Sequence, residues 1–333
     1  MSLALAGCAG STTANDGSGS AKQSQSIAVA TGNEPTSLDP QLVADPGQWA
    51  VFWQVYESLT TLDAGKVKPL LAASLPTQVN DTTWDVKLKK GVKFSDGKPF
   101  NADSVVYSIN RMSGLGPDHF LTQLAEGANL KGAEKVSDDE VHIFLKAPDP
   151  LTPNKLTNVK MMEVDGAKHL DTPIGTGPYK LKSYAAGSSQ AVITYNNRYR
   201  GKKPQVTTVT VKFIPDAGTR VQALQAGEIQ FLANLDPDQI DQAPKTILSS
   251  VPEWTGFMRL NYNTPALSNV KVRQAINYAI DKQAIVDKLF PKGMAQVNAC
   301  QSGPKQSGDA VTTTKPYPYD PKKAKSLISE AGA

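Results

Sequence analysis

Three stretches of this chain alternate apolar and polar side chains with a period of two, and helical spacing and turn residues separate them. Trp84, Val86 and Leu88 alternate with Asp85, Lys87 and Lys89; Val141, Ile143 and Leu145 alternate with His142, Phe144 and Lys146. Val209, Val211 and Phe213 alternate with Thr208, Thr210 and Lys212. Successive side chains of an extended strand point to opposite faces, so each stretch predicts a strand with one buried face and one wet face. Helical spacing follows in Val105, Val106, Ile109 and Met112 behind the capping residue Asn101, and again in Val221, Leu224 and Ile229, closed by Gly227. A longer stripe of Val272, Ile276, Ala279, Ile280 and Leu289 predicts one helix from an Asn269 cap to a stop at Pro291 and Gly293. Asp320-Pro321 opens a last helix through Leu327 and Ile328, with Gly332 as its C-terminal cap. Strands alternating with helices that each bury one face define an α/β protein.

With 333 residues the chain is long enough to bury a full core in roughly two domains. Lys and Arg number 35 against 31 Asp and Glu, a net charge of +4 that is spread evenly. That balance argues against a nucleic-acid partner, which a concentrated basic stripe would mark. No run of 18 apolar residues exists to span a membrane.

Chemistry is sparse. His119, His142 and His169 have no His or Cys at ligand spacing, so no metal site is expected. There is no P-loop, G-x-S-x-G, H-E-x-x-H or G-x-G-x-x-G, and no cofactor is expected. In Gly175-Thr176-Gly177-Pro178 the proline removes an N–H donor from any anion nest, and the segment reads as a tight turn before the strand Tyr179-Lys180-Leu181. Carboxylates are abundant but nothing selects a catalytic pair, so the chain reads as a protein that is not an enzyme. Aromatic residues recur where a core does not demand them: Trp49, Trp53 and Tyr56 after the turn Asp45-Pro46-Gly47, and Trp254 and Phe257 flanking Gly256. Such rings either fill a core or line a cleft for a peptide or sugar.

At the N-terminus, Leu5-Ala6-Gly7-Cys8 resembles a bacterial lipobox, where cleavage ahead of the cysteine precedes its acylation. Residues 1–8 then read as the remnant of a signal peptide without its basic region, and Cys8 as the lipidation site. Residues 9–25 carry no large apolar side chain and read as a flexible linker. The expected location is outside the cytoplasmic membrane, in the periplasm or at the cell surface, held only through a lipid anchor. Cys300, in Asn298-Ala299-Cys300-Gln301, then has no partner within the chain.

A set of linear motifs in a fixed order carries a resemblance. It runs through Pro35-Thr36-Ser37-Leu38-Asp39-Pro40, Val55-Tyr56-Glu57-Ser58-Leu59, Lys68-Pro69-Leu70-Leu71-Ala72 and Gly91 to Asp103. It continues with Pro173 to Tyr179, Gly227-Glu228-Ile229, Val272-Arg273-Gln274-Ala275-Ile276, Ala279-Ile280-Asp281 and Tyr319-Asp320-Pro321. Together these resemble the extracellular solute-binding proteins, family 5, of peptide and nickel ABC importers.

The resemblance implies a two-lobed α/β clamshell of the type II periplasmic-binding-protein kind, in its large form with an inserted subdomain. Residues 26–244 would form lobe I with the insertion at about 66–171, and residues 245–333 the start of an incomplete lobe II, as in a truncated member. It implies a monomer that captures a peptide or peptide-like solute and delivers it to ABC importer permease subunits. Ligand-contact positions implied by matching are the loop Ala44-Asp45-Pro46, Phe120 in the inserted subdomain, and a strand around Thr255-Gly256-Phe257. Alternatives within the same fold are nickel chelates or oligosaccharides as ligand, a solute sensor, or an inactive fragment.

Overall fold

The computed structural model describes residues 25–42, 51, 53–114, 127–232, 235, 237–242, 256–290, 295–299 and 315–332. They divide into two compact units, one from within residues 25–28 and 34–212 and the other from within residues 29–33 and 213–332. The division falls within the first strand, β1 (Ser26–Thr31).

In the first unit β2 (Thr60–Asp63) and β3 (Lys66–Pro69) form a hairpin whose two-residue turn, Ala64-Gly65, has both φ angles positive. That turn twists with the strands it joins, which is why two-residue hairpins favour it. Next come β4 (Thr77–Asn80), β5 (Thr83–Lys87) and helix α1 (Ala102–Met112). Then β6 (Leu130–Ser137) and β7 (Glu140–Leu145) complete an antiparallel sheet in the order β4-β5-β7-β6. Trp84 pairs with Ile143 and Val86 with Val141, so the apolar residues of both predicted strands share one face. Val105, Ile109 and Met112 of α1 join Val86, Val141, Ile143 and Leu145 in one buried core. Each such side chain contributes about 1.5–3 kcal/mol when fully buried.

The helix begins where expected, because the Asn101 side chain accepts a hydrogen bond from the Ser104 amide. Asn110 then ties it to β6 through both amide atoms, accepting from Ala133 N at 2.7 Å and donating to Ala133 O at 3.2 Å. A short helix, α2 (Thr152–Lys155), leads to β8 (Tyr179–Ser183), β9 (Gln190–Tyr195) and β10 (Thr208–Phe213). The turn ahead of β8 does more than reverse the chain. Gly177 N donates to Val55 O at 2.9 Å, and a Cβ on Gly175 would lie 2.0 Å from Val55 O, so only glycine permits this approach of backbone to backbone.

The next helix, α3 (Ala217–Gln225), is capped by Asp216, and the chain returns through β11 (Phe231–Leu232), which runs parallel to β1. The sheet order is β11-β1-β10-β9-β8. Ile229 is not part of α3 as the spacing predicted. The helix stops before Gly227, whose φ of +75° turns the chain, and Ile229 is buried beyond it.

A second correction concerns the long stripe after Asn269. It forms two helices, α5 (Val270–Ala279) and α6 (Lys282–Leu289), preceded by a short α4 (Pro265–Ser268). Asp281 starts the second one by accepting from Ala284 N at 2.9 Å, and Ile280 is extended between them. The last helix, α7 (Pro321–Ala331), is capped by Asp320 and ends at Gly332 in the left-handed conformation, as its sequence predicts. Ala324 and Leu327 pack on Ala275 of α5.

Candidate functional site

Two distant segments of the first unit meet at an antiparallel bridge between Ser58 and Lys160. Met161 N donates to Glu57 O at 2.9 Å, and the Gln41 side chain donates to Lys160 O at 3.1 Å. Gln41 is held in turn by Arg111, which donates to its Oε1 at 2.7 Å and pairs with Asp39. Tyr56, buried beside this pair, has its hydroxyl pushed well above the ordinary phenol range by burial and then by the Asp39 charge.

This framework carries the Lys160 side chain across the ring of Trp53, with Nζ 5.1 Å from the ring centroid. Lys160 is only 9% exposed, whereas Trp53 is 50% exposed. Burial pulls the ammonium of Lys160 down to about 8, and the Glu57 charge opposes this only in part. Glu57 is itself engaged: Arg200 donates to its two oxygens at 2.5 Å and 2.9 Å. Among the described residues the ammonium of Lys160 has no hydrogen-bond acceptor or ion-pair partner, and its close contact is the indole face. A desolvated cation next to a half-exposed aromatic ring can receive an anionic group and cover its apolar neighbour.

The positions implied by the resemblance fare differently. Ala44, Asp45, Pro46, Phe120 and Thr255 lie outside the described residues, as do Cys8 and Cys300. Gly256 and Phe257 are described and exposed, Phe257 at 51%, with the Arg259 guanidinium 5.8 Å from its ring centroid. The strand expected there is absent at Gly256 and Phe257. No described strand runs beside them to complete a ladder, and extended backbone without that pairing is not a strand. A groove between α5 and α7 is lined mainly by apolar side chains, among them Ala275, Ile276, Ala279 and Ile328, with Lys325 and Ser329 as its polar members. Among the described residues no cluster of three or more His, Cys, Asp or Glu side chains could hold a metal ion, and no helix is long and apolar enough to cross a membrane.

Sequence reasoning missed Lys160 and Arg200. The signal it had was Glu57, a charge inside the otherwise apolar and small run Val55 to Leu59, which asks for a buried partner.

Comparison with known proteins places this α/β chain among the extracellular solute-binding proteins. The model of the bacterial extracellular solute-binding proteins, family 5 Middle, matches residues 66–333, and the chain belongs to that family. The glutathione-binding protein GsiB of Salmonella choleraesuis is 31% identical over 318 residues, covering 92% of this chain and 61% of that protein. Heme-binding protein A of Haemophilus influenzae is 29% identical over 373 residues, covering 99% of this chain and 67% of that protein. Among solved structures, the periplasmic binding protein DppA of Helicobacter pylori in complex with the peptide STSA superposes with a TM-score of 0.79 at 26% identity. That match covers 92% of this chain and 66% of the other. The chain therefore spans about two thirds of the length of these relatives. The expected type II periplasmic-binding-protein fold is the one found.

Proposed function

We propose that the protein captures peptides or peptide-like solutes outside the cytoplasmic membrane and delivers them to the permease subunits of an ABC importer. The observation that carries this reading is the similarity to DppA in complex with a peptide. The relationship to a glutathione-binding protein supports it as well, since glutathione is itself a short peptide. In this reading residues 26–244 serve as lobe I with an insertion at about 66–171, and residues 245–333 begin lobe II. Peptide main chain would be satisfied by hydrogen bonds, with exposed aromatic surface such as Phe257 covering its side chains. Acylation at Cys8 would hold the protein to the membrane as a monomer, with no catalytic step. Calorimetry with mixed di- to hexapeptides, glutathione, heme, nickel chelates and oligosaccharides tests the assignment. Heat with the peptides or glutathione supports it; flat traces with both and a signal with heme, a nickel chelate or an oligosaccharide overturns it.

A further inference from the structure

We propose that Lys160 and Trp53 form a subsite for a ligand carboxylate, so that the protein selects solutes in which a free carboxylate adjoins a flat or apolar group. The inference rests on the reading of this chain as a solute-binding protein and names the chemistry that its first unit would select.

Lys160 is nine-tenths buried as a residue, and its ammonium carries three N–H donors that meet no acceptor among the described residues. Burying a charge without a partner is expensive, and a cation–π contact of about 1–2 kcal/mol offsets only part of that cost. The natural partner, Glu57, is close enough to act on Lys160 through space, yet both of its oxygens are taken by Arg200. The Lys160 backbone is fixed by Gln41 and by the bridge to Ser58, so its side chain starts from a defined point beside Trp53. An acceptor from outside would complete the group without displacing any hydrogen bond it makes among the described residues.

The charge count selects the kind of anion. Lys160, Arg200 and Glu57 sum to one positive charge, which one carboxylate neutralises. A dianionic phosphate would leave excess negative charge beside Glu57 in a poorly solvated place. The half-exposed indole then supplies apolar surface for whatever the carboxylate is attached to. A free peptide C-terminus with an apolar last residue has this combination.

The test titrates alanyl-phenylalanine and its C-terminal amide into the 333-residue protein, and into K160M and K160R, by calorimetry, with a thermal melt of each variant. The free acid is expected to bind roughly 10- to 100-fold more tightly than the amide, the difference a charge-assisted hydrogen bond supplies. K160M should erase that preference and K160R should keep most of it. Equal binding of acid and amide to the unaltered protein, or a preference that survives in folded K160M, overturns the subsite. Should neither peptide bind, the peptide reading fails separately, and N-acetyl-phenylalanine followed by the nitrogen resonance of Lys160 decides the subsite. A shift that saturates, with none for N-acetyl-phenylalanine amide, supports it, and an unmoved resonance overturns it.

Discussion

Arg200 reaches across 143 positions of sequence to hold both carboxylate oxygens of Glu57, at 2.5 Å and 2.9 Å. Its guanidinium plane also lies 5.5 Å from the ring of Tyr199, and one arm donates to Leu70 O at 3.3 Å. The pair does two things at once. It satisfies a buried carboxylate in a bidentate geometry that lysine cannot reproduce, and it leaves the ammonium of Lys160 to other partners.

Removing Arg200 should therefore strand a buried charge. Arg200→Met is expected to cost about 3 kcal/mol in denaturant unfolding, because Glu57 is nearly inaccessible to water. The double variant with Glu57→Gln should recover much of that loss. A single variant as stable as the parent would mean the pair is solvated and carries little.

The pH dependence of stability has a defined sign at Lys160. Its folded value is depressed from the ordinary 10.5 to about 8, so between these limits the unfolded chain holds the proton and the folded one has released it. Stability gained from this group is thus present above pH 10.5, and it is lost as the pH falls through 8. Over that window the difference amounts to ~3 kcal/mol. Subtracting the K160M curve from the parent curve isolates the contribution, and parallel curves would show that Lys160 titrates like an exposed lysine.

At the Gly175 turn the expected outcome is steric. A methyl group there would sit 2.0 Å from Val55 O, and one on Gly177 would sit 2.4 Å from Gln54 O. Gly175→Ala should destabilise by at least about 3 kcal/mol, above the usual range for a point change. A Gly187→Ala control meets open space but has φ +78°, so its cost is conformational and should be smaller, about 1 kcal/mol. Comparable melting temperatures for the two variants would contradict the contact.

The break between α5 and α6 depends on one side chain. Asp281→Ala removes the cap to Ala284 N and should cost about 1 kcal/mol. Hydrogen exchange should show faster exchange confined to the first turn of α6. Unchanged protection there would mean that packing holds the break without the cap.

Much of the fold was legible because its signals are local. Two-residue alternation located β5, β7 and β10, and Asn101, Asp320 and Gly332 marked helix ends by chemistry confined to one turn. The α5–α6 stripe misled for the same reason: its apolar positions keep helical spacing across Ile280, and only the Asp281 cap, which competes with helix continuation, splits it. The aromatic stripe was legible as a pattern but not as a pair of opposite fates, with Tyr56 buried in the core and Trp53 left half exposed.

What the sequence determined by itself was the place of β5, β7, β8 and β10, the starts of α1 and α7 and, through the order of its motifs, the family. What only the tertiary structure decided was the environment of Lys160, a lysine like any other in Thr157-Asn158-Val159-Lys160 until Trp53, Glu57 and Gln41 surround it. Backbone periodicity is a property of neighbours within a few residues. Desolvation and charge balance arise from groups more than a hundred positions away, and they exist only once the chain has folded.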